Sequence, residues 1–343
     1  MFHNRPCGCK GQRTCLTCEE SYEDVASKAK SWVTDEEKEK SYVYCPECDL
    51  AWPGWEADSW KVHPDHAGDS IKFPGIKVIQ NFITEDEEEE LMKHLDEVPW
   101  DLSQSGRRKQ NYGPKCNFKK RRAKAENFSG YPAFTKFIQD RFASVDVLKN
   151  FQTVEQCSLD YPVETGASID PHIDDCWIWG ERIPTVSLLV DSVLTLRKYR
   201  GPETKYNLMD TYKYPAVMKA NEVKNEEELK QEFHELCQNK AVTKIEENAK
   251  EAEASPELDA GPNIVRLPMP QRSLIIFFGP PRYKWEHGIL REDIPSRRVC
   301  ITYRELTPPY LPFGSESKTG AEILKASKNF WDHYQYYGIT CSS

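Results

Sequence analysis

Three absences narrow this chain before any motif is read. No run of about 18 apolar residues is long enough to cross a bilayer as a helix. The first residues show no charged-then-apolar leader pattern. No segment repeats at a fixed period, which excludes architectures built from sequence repeats. The final Thr-Cys-Ser-Ser is not a prenylation box either. These absences predict a soluble protein of cytoplasm and nucleus, a monomer with no membrane partner. Positive charge is short as well: 46 Lys and Arg against 55 Asp and Glu leave a net charge of −9. That excludes general coating of nucleic acid but not a local basic patch. The 343 residues are 38% hydrophobic and 29% charged, so one large domain with appendages is expected, with part of the length outside any core.

Cysteine, in contrast, is abundant: twelve in all, half of them within the first 48 residues. Without a secretory leader, their tight spacing favours metal thiolates over disulfides. Cys7, Cys9, Cys15 and Cys18 form C-x-C-x5-C-x2-C, four thiolates able to close a tetrahedral Zn2+ site. The bland alternative is reduced cysteines on an unstructured tail. Cys45 and Cys48 with His63 and His66 could make a second, Cys2His2 site, although their His spacing is one residue short of the usual finger pattern. Residues 1–66 are therefore expected to form a Cys-rich, zinc-binding N-terminal module.

Another set of metal-ligand types is split between two distant stretches. His172-x-Asp174 and the remote His287 supply two imidazoles and one carboxylate. That set can occupy one face of Fe(II) and leave three positions open for a co-substrate and O2. Taken singly, each residue is more often a surface His, a turn Asp or a satisfied core His. Eleven residues after His287, however, Arg298, Cys300, Thr302 and Arg304 alternate with Val299, Ile301 and Tyr303. The period of two puts the first four on one strand face and an apolar set on the other. Two guanidiniums beside a metal suit a dicarboxylate such as 2-oxoglutarate, held by paired, charge-assisted bonds.

The order His-x-Asp, His, Arg-x5-Arg resembles the AlkB family of Fe(II)/2-oxoglutarate dioxygenases. Longer phrases resemble its homologue-4 branch: SQSGRRKQ at 103–110, PHIDD at 171–175, WIWGER at 177–182, RVCITYREL at 298–306 and CGCKGQRTCLTC at 7–18. The likeness spans roughly 71–310 apart from one insertion, plus the cysteine cluster. It implies that the residue matching Arg298 binds the distal carboxylate of 2-oxoglutarate, helped by Tyr161. It places Arg304 near the proximal carboxylate and Thr302 in the same co-substrate site. Two departures stand out: the family often has Asn where this chain has Leu159, and Asn where it has Cys300. Fewer hydrogen-bond donors would loosen the co-substrate, while the charged contacts remain.

The expected fold is mainly β with flanking helices, a double-stranded β-helix of jelly-roll type. Short β-like runs recur at 154–161, 167–173, 184–190, 192–197, 264–269, 272–278, 284–290 and 297–304. The dioxygenase domain is expected over 67–310, opening with a strand at 71–79. A helix capped by Thr84 and Glu87 would follow, burying Leu91, Met92, Leu95 and Val98. A second helix would carry Phe134, Phe137, Ile138 and Phe142. Residues 200–262, rich in Glu and Lys, read as a partly disordered, solvated insertion with a helix near 225–236. Residues 311–343 read as a helical tail, with a helix at 320–335 that faces Ile323, Leu324, Phe330 and Trp331 inward.

Between the first two helices, residues 106–124 form a basic loop that includes Arg107, Arg108 and Tyr112. In family members acting on nucleic acid, the equivalent region is a lid whose cations meet phosphates. A solvated charge run, or docking to an acidic protein, explains the composition equally well. Trp177, Trp179 and Asp175 adjoin the metal motif and could cage a methylated ammonium, although packing is the commoner role for such tryptophans. The resemblance implies oxidative N-demethylation, most naturally of monomethyl-lysine on a protein such as actin, regulating actomyosin. The alternatives are a demethylase of N6-methyladenine in DNA and a non-catalytic, zinc-bearing interaction scaffold.

Overall fold

The computed structural model describes residues 5–11, 13–22, 31–238 and 261–332. Fourteen strands build two seven-stranded sheets. In chain order they are β1 (Tyr42–Cys45), β2 (Leu50–Pro53), β3 (Ile71–Lys72), β4 (Ile76–Ile79), β5 (Asp101–Leu102), β6 (Arg108–Tyr112) and β7 (Glu155–Tyr161). The remainder are β8 (Ile169–His172), β9 (Ile183–Leu188), β10 (Ser192–Lys198), β11 (Ile264–Met269), β12 (Leu274–Phe277), β13 (Trp285–Ile289) and β14 (Arg298–Arg304). The first sheet runs β4-β12-β9-β14-β7-β6-β5, and the second runs β8-β13-β10-β11-β1-β2-β3. From β7 to β14, eight strands alternate between the sheets, except that β10 and β11 pair within the second sheet, and all pair antiparallel in jelly-roll order.

Alternation decides what each strand offers to the two sides of its sheet. In β14, Val299, Ile301 and Tyr303 enter the core behind the first sheet, while Arg298, Cys300, Thr302 and Arg304 line the cavity between the sheets. In β12, Leu274 and Ile276 face the same back core, whereas Ile275 and Phe277 face the cavity. Helix α1 (Glu85–Glu97) covers that back core with Leu91, Met92 and Leu95. Its start is as expected: Glu87 N–H donates to Thr84 Oγ1 at 3.2 Å, and Thr84 N–H donates to the Glu87 carboxylate at 2.8 Å. It stops at Val98, which is extended because Pro99 follows. Fully buried Leu95 alone should account for about 2–5 kcal/mol against alanine.

Several expectations are corrected. The single strand at 71–79 is two, and they belong to different sheets. Pro74-Gly75 makes the switch, with Gly75 at φ +92° and so close to Phe278 that a Cβ would lie 2.4 Å from its carbonyl oxygen. The boundary at 66 does not isolate a module. Residues 42–53 are sheet strands, with Tyr42 of β1 pairing parallel to Val265 of β11. The insertion is not merely solvated. Tyr214, Val217 and Met218 are buried, and the Glu181 carboxylate accepts from Val217 N–H and Met218 N–H at 2.6 and 3.0 Å. Helix α2 (Glu226–Gln238) buries Leu229 and Phe233, while 239–260 lie outside the described residues. The last helix, α3, is shorter than expected (Ser317–Ala326). Beyond it, Phe330–Trp331 is a short strand parallel to Tyr131–Pro132. Residues 333–335 of the expected helix lie outside the described residues.

Candidate active site

The cavity between the sheets gathers residues from both. Strand β8 delivers His172 directly opposite His287 of β13, and a register irregularity between Ile169 and His172 re-aims the chain there. Asp174 follows two residues later, and the ligand atoms of His172, Asp174 and His287 lie within 4.8 Å of one another. The imidazole centroids are 4.3 Å apart. His172 Nδ1 lies 2.9 Å from the Asp170 carbonyl, which accepts its proton and leaves Nε2 aimed at Asp174, 4.0 Å away. Burial depresses both imidazole pKa values, and each also feels the nearby cations, so both rings are neutral ligands at physiological pH. Burial opposes ionisation of Asp174, but the adjacent Arg304 guanidinium outweighs it, and its carboxyl is held well below the usual range.

Arg304 is fully engaged by protein carboxylates. Its Nε and Nη2 donate to the two Asp174 oxygens at 3.1 and 3.0 Å, and Nη1 donates to Glu155. Arg298 is the opposite. It is 0% exposed, stacks 4.8 Å from the Tyr161 ring, and donates only a weak 3.4 Å bond to Met269 Sδ. Its Nε and Nη1 are buried without a partner. An uncompensated buried guanidinium costs several kcal/mol, so this corner of the cavity is complementary to a carboxylate from outside. Burial raises the Tyr161 hydroxyl to about 12, against the pull of Arg107 and Arg298, so it remains a donor. Thr302 Oγ1 is 3.1 Å from Thr185 Oγ1 across the β9–β14 pair.

The expected basic loop is β6 plus a small hairpin, Lys115–Asn117 with Arg122–Lys124. Its pairing with β7 separates two groups of side chains. Arg108 and Tyr112 point away from the cavity: Arg108 binds Asp160, and Tyr112 packs on Trp331. Arg107, Lys109 and Asn111 share the cavity side with Cys157 and Leu159. Arg107 comes within 5.9 Å of the Tyr161 ring. Lys109, Asn111 and Glu155 were missed by motif reading, although the alternation of β6 and β7 would have found them once their register was known. Trp177 and Trp179 are packing residues. Trp177 lies against Phe118 and Tyr310, and Trp179 lies beneath Arg304 at 5.7 Å. Asp175 accepts from Asn207 Nδ2 at 2.6 Å, which ties the insertion to the metal motif.

The ligand atoms of Cys7, Cys9, Cys15 and Cys18 also lie within 4.8 Å of one another, as do those of Cys45, Cys48, His63 and His66. The first cluster packs on the cavity rim. Leu16 N–H donates to the Thr165 carbonyl at 2.9 Å, Glu19 pairs with Arg291, and Arg13 lies 3.4 Å from Asp170.

No family model matches the chain. Curated relatives do. The mouse and human proteins described as alpha-ketoglutarate-dependent dioxygenase alkB homolog 4 are 36% and 37% identical, covering 94% and 95% of this chain and 94% of their own lengths. The chain belongs to the alkB homolog 4 family. It is an Fe(II)/2-oxoglutarate-dependent dioxygenase by that membership, and the family's iron, 2-oxoglutarate and O2 fit its donor set. A Caenorhabditis elegans protein named DNA N6-methyl adenine demethylase is 30% identical over 93% of both chains. Among solved structures, an alpha-ketoglutarate-dependent carbocyclase from nogalamycin biosynthesis covers 68% of this chain and 80% of its own at 9% identity and a TM-score of 0.39. No helix among the described residues is long and apolar enough to cross a membrane.

Proposed function

We propose that this dioxygenase removes an N-methyl group from monomethyl-lysine of a protein such as actin, with His172, Asp174 and His287 holding Fe(II). The observation that carries the catalytic part is the pairing of a three-ligand cluster with Arg298, whose buried Nε and Nη1 have no partner among the described residues. When bound, iron supplies the activation of O2, with 2-oxoglutarate as the electron source. Arg298 and the Tyr161 hydroxyl take the distal carboxylate in this reading, and Arg304 keeps Asp174 ionised and oriented. The two sheets line the cavity and orient what binds in it, which limits oxidation elsewhere. The balance is substrate methylamine, 2-oxoglutarate and O2 giving free amine, formaldehyde, succinate and CO2. The Cys7, Cys9, Cys15 and Cys18 cluster is read as a structural Zn2+ site that braces the cavity rim.

A protein substrate is favoured by the pairing of four of the nine cations of 106–124 with the protein's own carboxylates. Arg108 is paired with Asp160, Arg121 with Asp210, and both Lys115 and Lys124 with Glu126. Cations committed to internal carboxylates are poor phosphate ligands. The worm relative's name favours DNA carrying N6-methyladenine as the second reading. The test is succinate release with Fe(II), followed by product mass on monomethyl-lysine actin and on an N6-methyladenine oligonucleotide across salt. Turnover of the peptide or actin with a shallow salt slope supports the proposal. Turnover of the oligonucleotide alone, with a steep slope, replaces it. No succinate from parent or His172→Ala would return the chain to the scaffold reading.

A further inference from the structure

Residues 54–70 contain no fully buried side chain, yet they follow an ordered path between β2 and β3, with the turn at 57–62 lying against β1 and β11 of the second sheet. Its apolar contacts are made by partly buried side chains such as Trp55, which packs against Val33, Ile264 and Leu290. A crosslink near its far end would lower the entropy cost of ordering its backbone, about 1–2 kcal/mol per residue. The second group of metal-type ligands lies here. Cys45 ends β1, Cys48 sits in the turn to β2, and His63 and His66 lie at the far end of the segment. The spacing of the histidines left this group undecided from sequence. The structure brings all four ligand atoms within 4.8 Å. A tetrahedral Zn2+ ion with thiolate and imidazole ligands needs them at roughly 3.3–3.8 Å, so closure requires only small side-chain movements.

Three further features point to a ligand at this position. His66 Nε2 is buried with no hydrogen-bond partner, although the residue as a whole is half-exposed. The His66 ring is fixed by stacking on Trp52, 4.7 Å between centroids, and His63 lies 5.5 Å away. An N–H donor also reaches one of the sulfurs: Trp52 Nε1 donates to Cys48 Sγ at 3.5 Å, a contact that thiolate ligands of a metal accept readily. Two thiolates and two imidazoles in a closed arrangement select Zn2+ over harder ions, and a closed site is structural rather than catalytic.

We propose that Cys45, Cys48, His63 and His66 form a Cys2His2 zinc site that staples residues 54–70 to the second sheet. The proposal is independent of the iron reading, and its test does not use turnover. In the full-length protein, zinc per chain is counted by mass spectrometry. Cys48→Ala and His66→Ala should each remove one zinc relative to the parent, whereas His66→Cys should retain it. In Co2+-substituted protein, the parent-minus-Cys48→Ala difference spectrum should show tetrahedral bands with charge transfer from two thiolates, increased by about half in His66→Cys. An unchanged zinc count in both alanine variants overturns the proposal. Should those variants fail to fold, hydrogen exchange of the parent decides. Stripping zinc must accelerate exchange at 54–70 and re-adding it must restore protection; exchange there that ignores zinc overturns the site.

Discussion

Arg298 and Arg304 stand at the two ends of β14 and face the same cavity, yet their surroundings are opposite. Arg304 is saturated by Asp174 and Glu155, whereas Arg298 has two N–H groups with no partner. One arginine completes the protein's own electrostatics, and the other leaves them incomplete. A buried cation without a counter-charge destabilises the empty protein, and a ligand carboxylate relieves that cost on binding. Arg297, one residue before the strand, points to the opposite side and binds part-exposed Asp96 and buried Asp160. Three guanidiniums on and just before β14 thus serve a ligand, a metal-binding carboxylate and the outer side of the sheet.

The comparison can be broken in steps of decreasing effect. His172→Ala should reduce Fe(II)-dependent succinate release to background, while a circular dichroism spectrum remains that of the parent. Retained decarboxylation would remove the metal centre on which both arginine roles depend. Arg298→Met should raise the KM for 2-oxoglutarate by roughly 30- to 5,000-fold, from a loss of about 2–5 kcal/mol for one partner of a buried charged bond. It should leave the melting temperature without co-substrate equal or higher, since an unpaired buried charge disappears. Arg304→Met should do the reverse, destabilising the protein by about 3–5 kcal/mol in urea titration because Asp174 and Glu155 lose their cation. If the two variants exchange these signatures, the contrast is wrong.

The remaining predictions sharpen it. Asn111→Ala and Lys109→Ala should change the KM for the methylated substrate about tenfold, a 1.4 kcal/mol effect. Arg108→Ala should leave it unchanged, because β6 turns that side chain away. Equal effects from all three would mean that the register of β6 does not set substrate contact. The smallest effect concerns Arg297. Its bonds to Asp96 are the largest cause of that carboxyl's depressed pKa. A depressed native pKa contributes stability above the unfolded value near 3.9 that is lost as pH falls through the native one. The urea midpoint should therefore drop on acidification below about pH 4, and Asp96→Asn should flatten that part of the profile.

Much of this was legible in the sequence, for reasons that differ by element. The eight jelly-roll strands and α1 were readable because alternation and the Thr84–Glu87 box are local signals. The triad was readable because its ligands are chemically uncommon in combination. What failed was whatever depended on a partner strand. Residues 71–79 look like one strand because nothing local says that β3 and β4 join different sheets. The basic segment looks like a lid because the carboxylates that bind Arg108 and Arg121 are far away in sequence. Trp177 and Trp179 look available because their neighbours, Phe118 and Tyr310 for the first and Arg304 for the second, belong to other segments.

By itself the sequence determined the ligand types, the period-two faces of β14 and the membership of a dioxygenase family. Only the tertiary structure decided which arginine lacks a counter-charge, which side of β6 meets the cavity, and whether Cys45, Cys48, His63 and His66 converge. The reason is physical. Residue type and periodicity are properties of the chain, whereas burial, desolvation and hydrogen-bond satisfaction belong to groups brought together from distant segments. The chemistry of Arg298 lies in a missing partner, and no single stretch of sequence can show that.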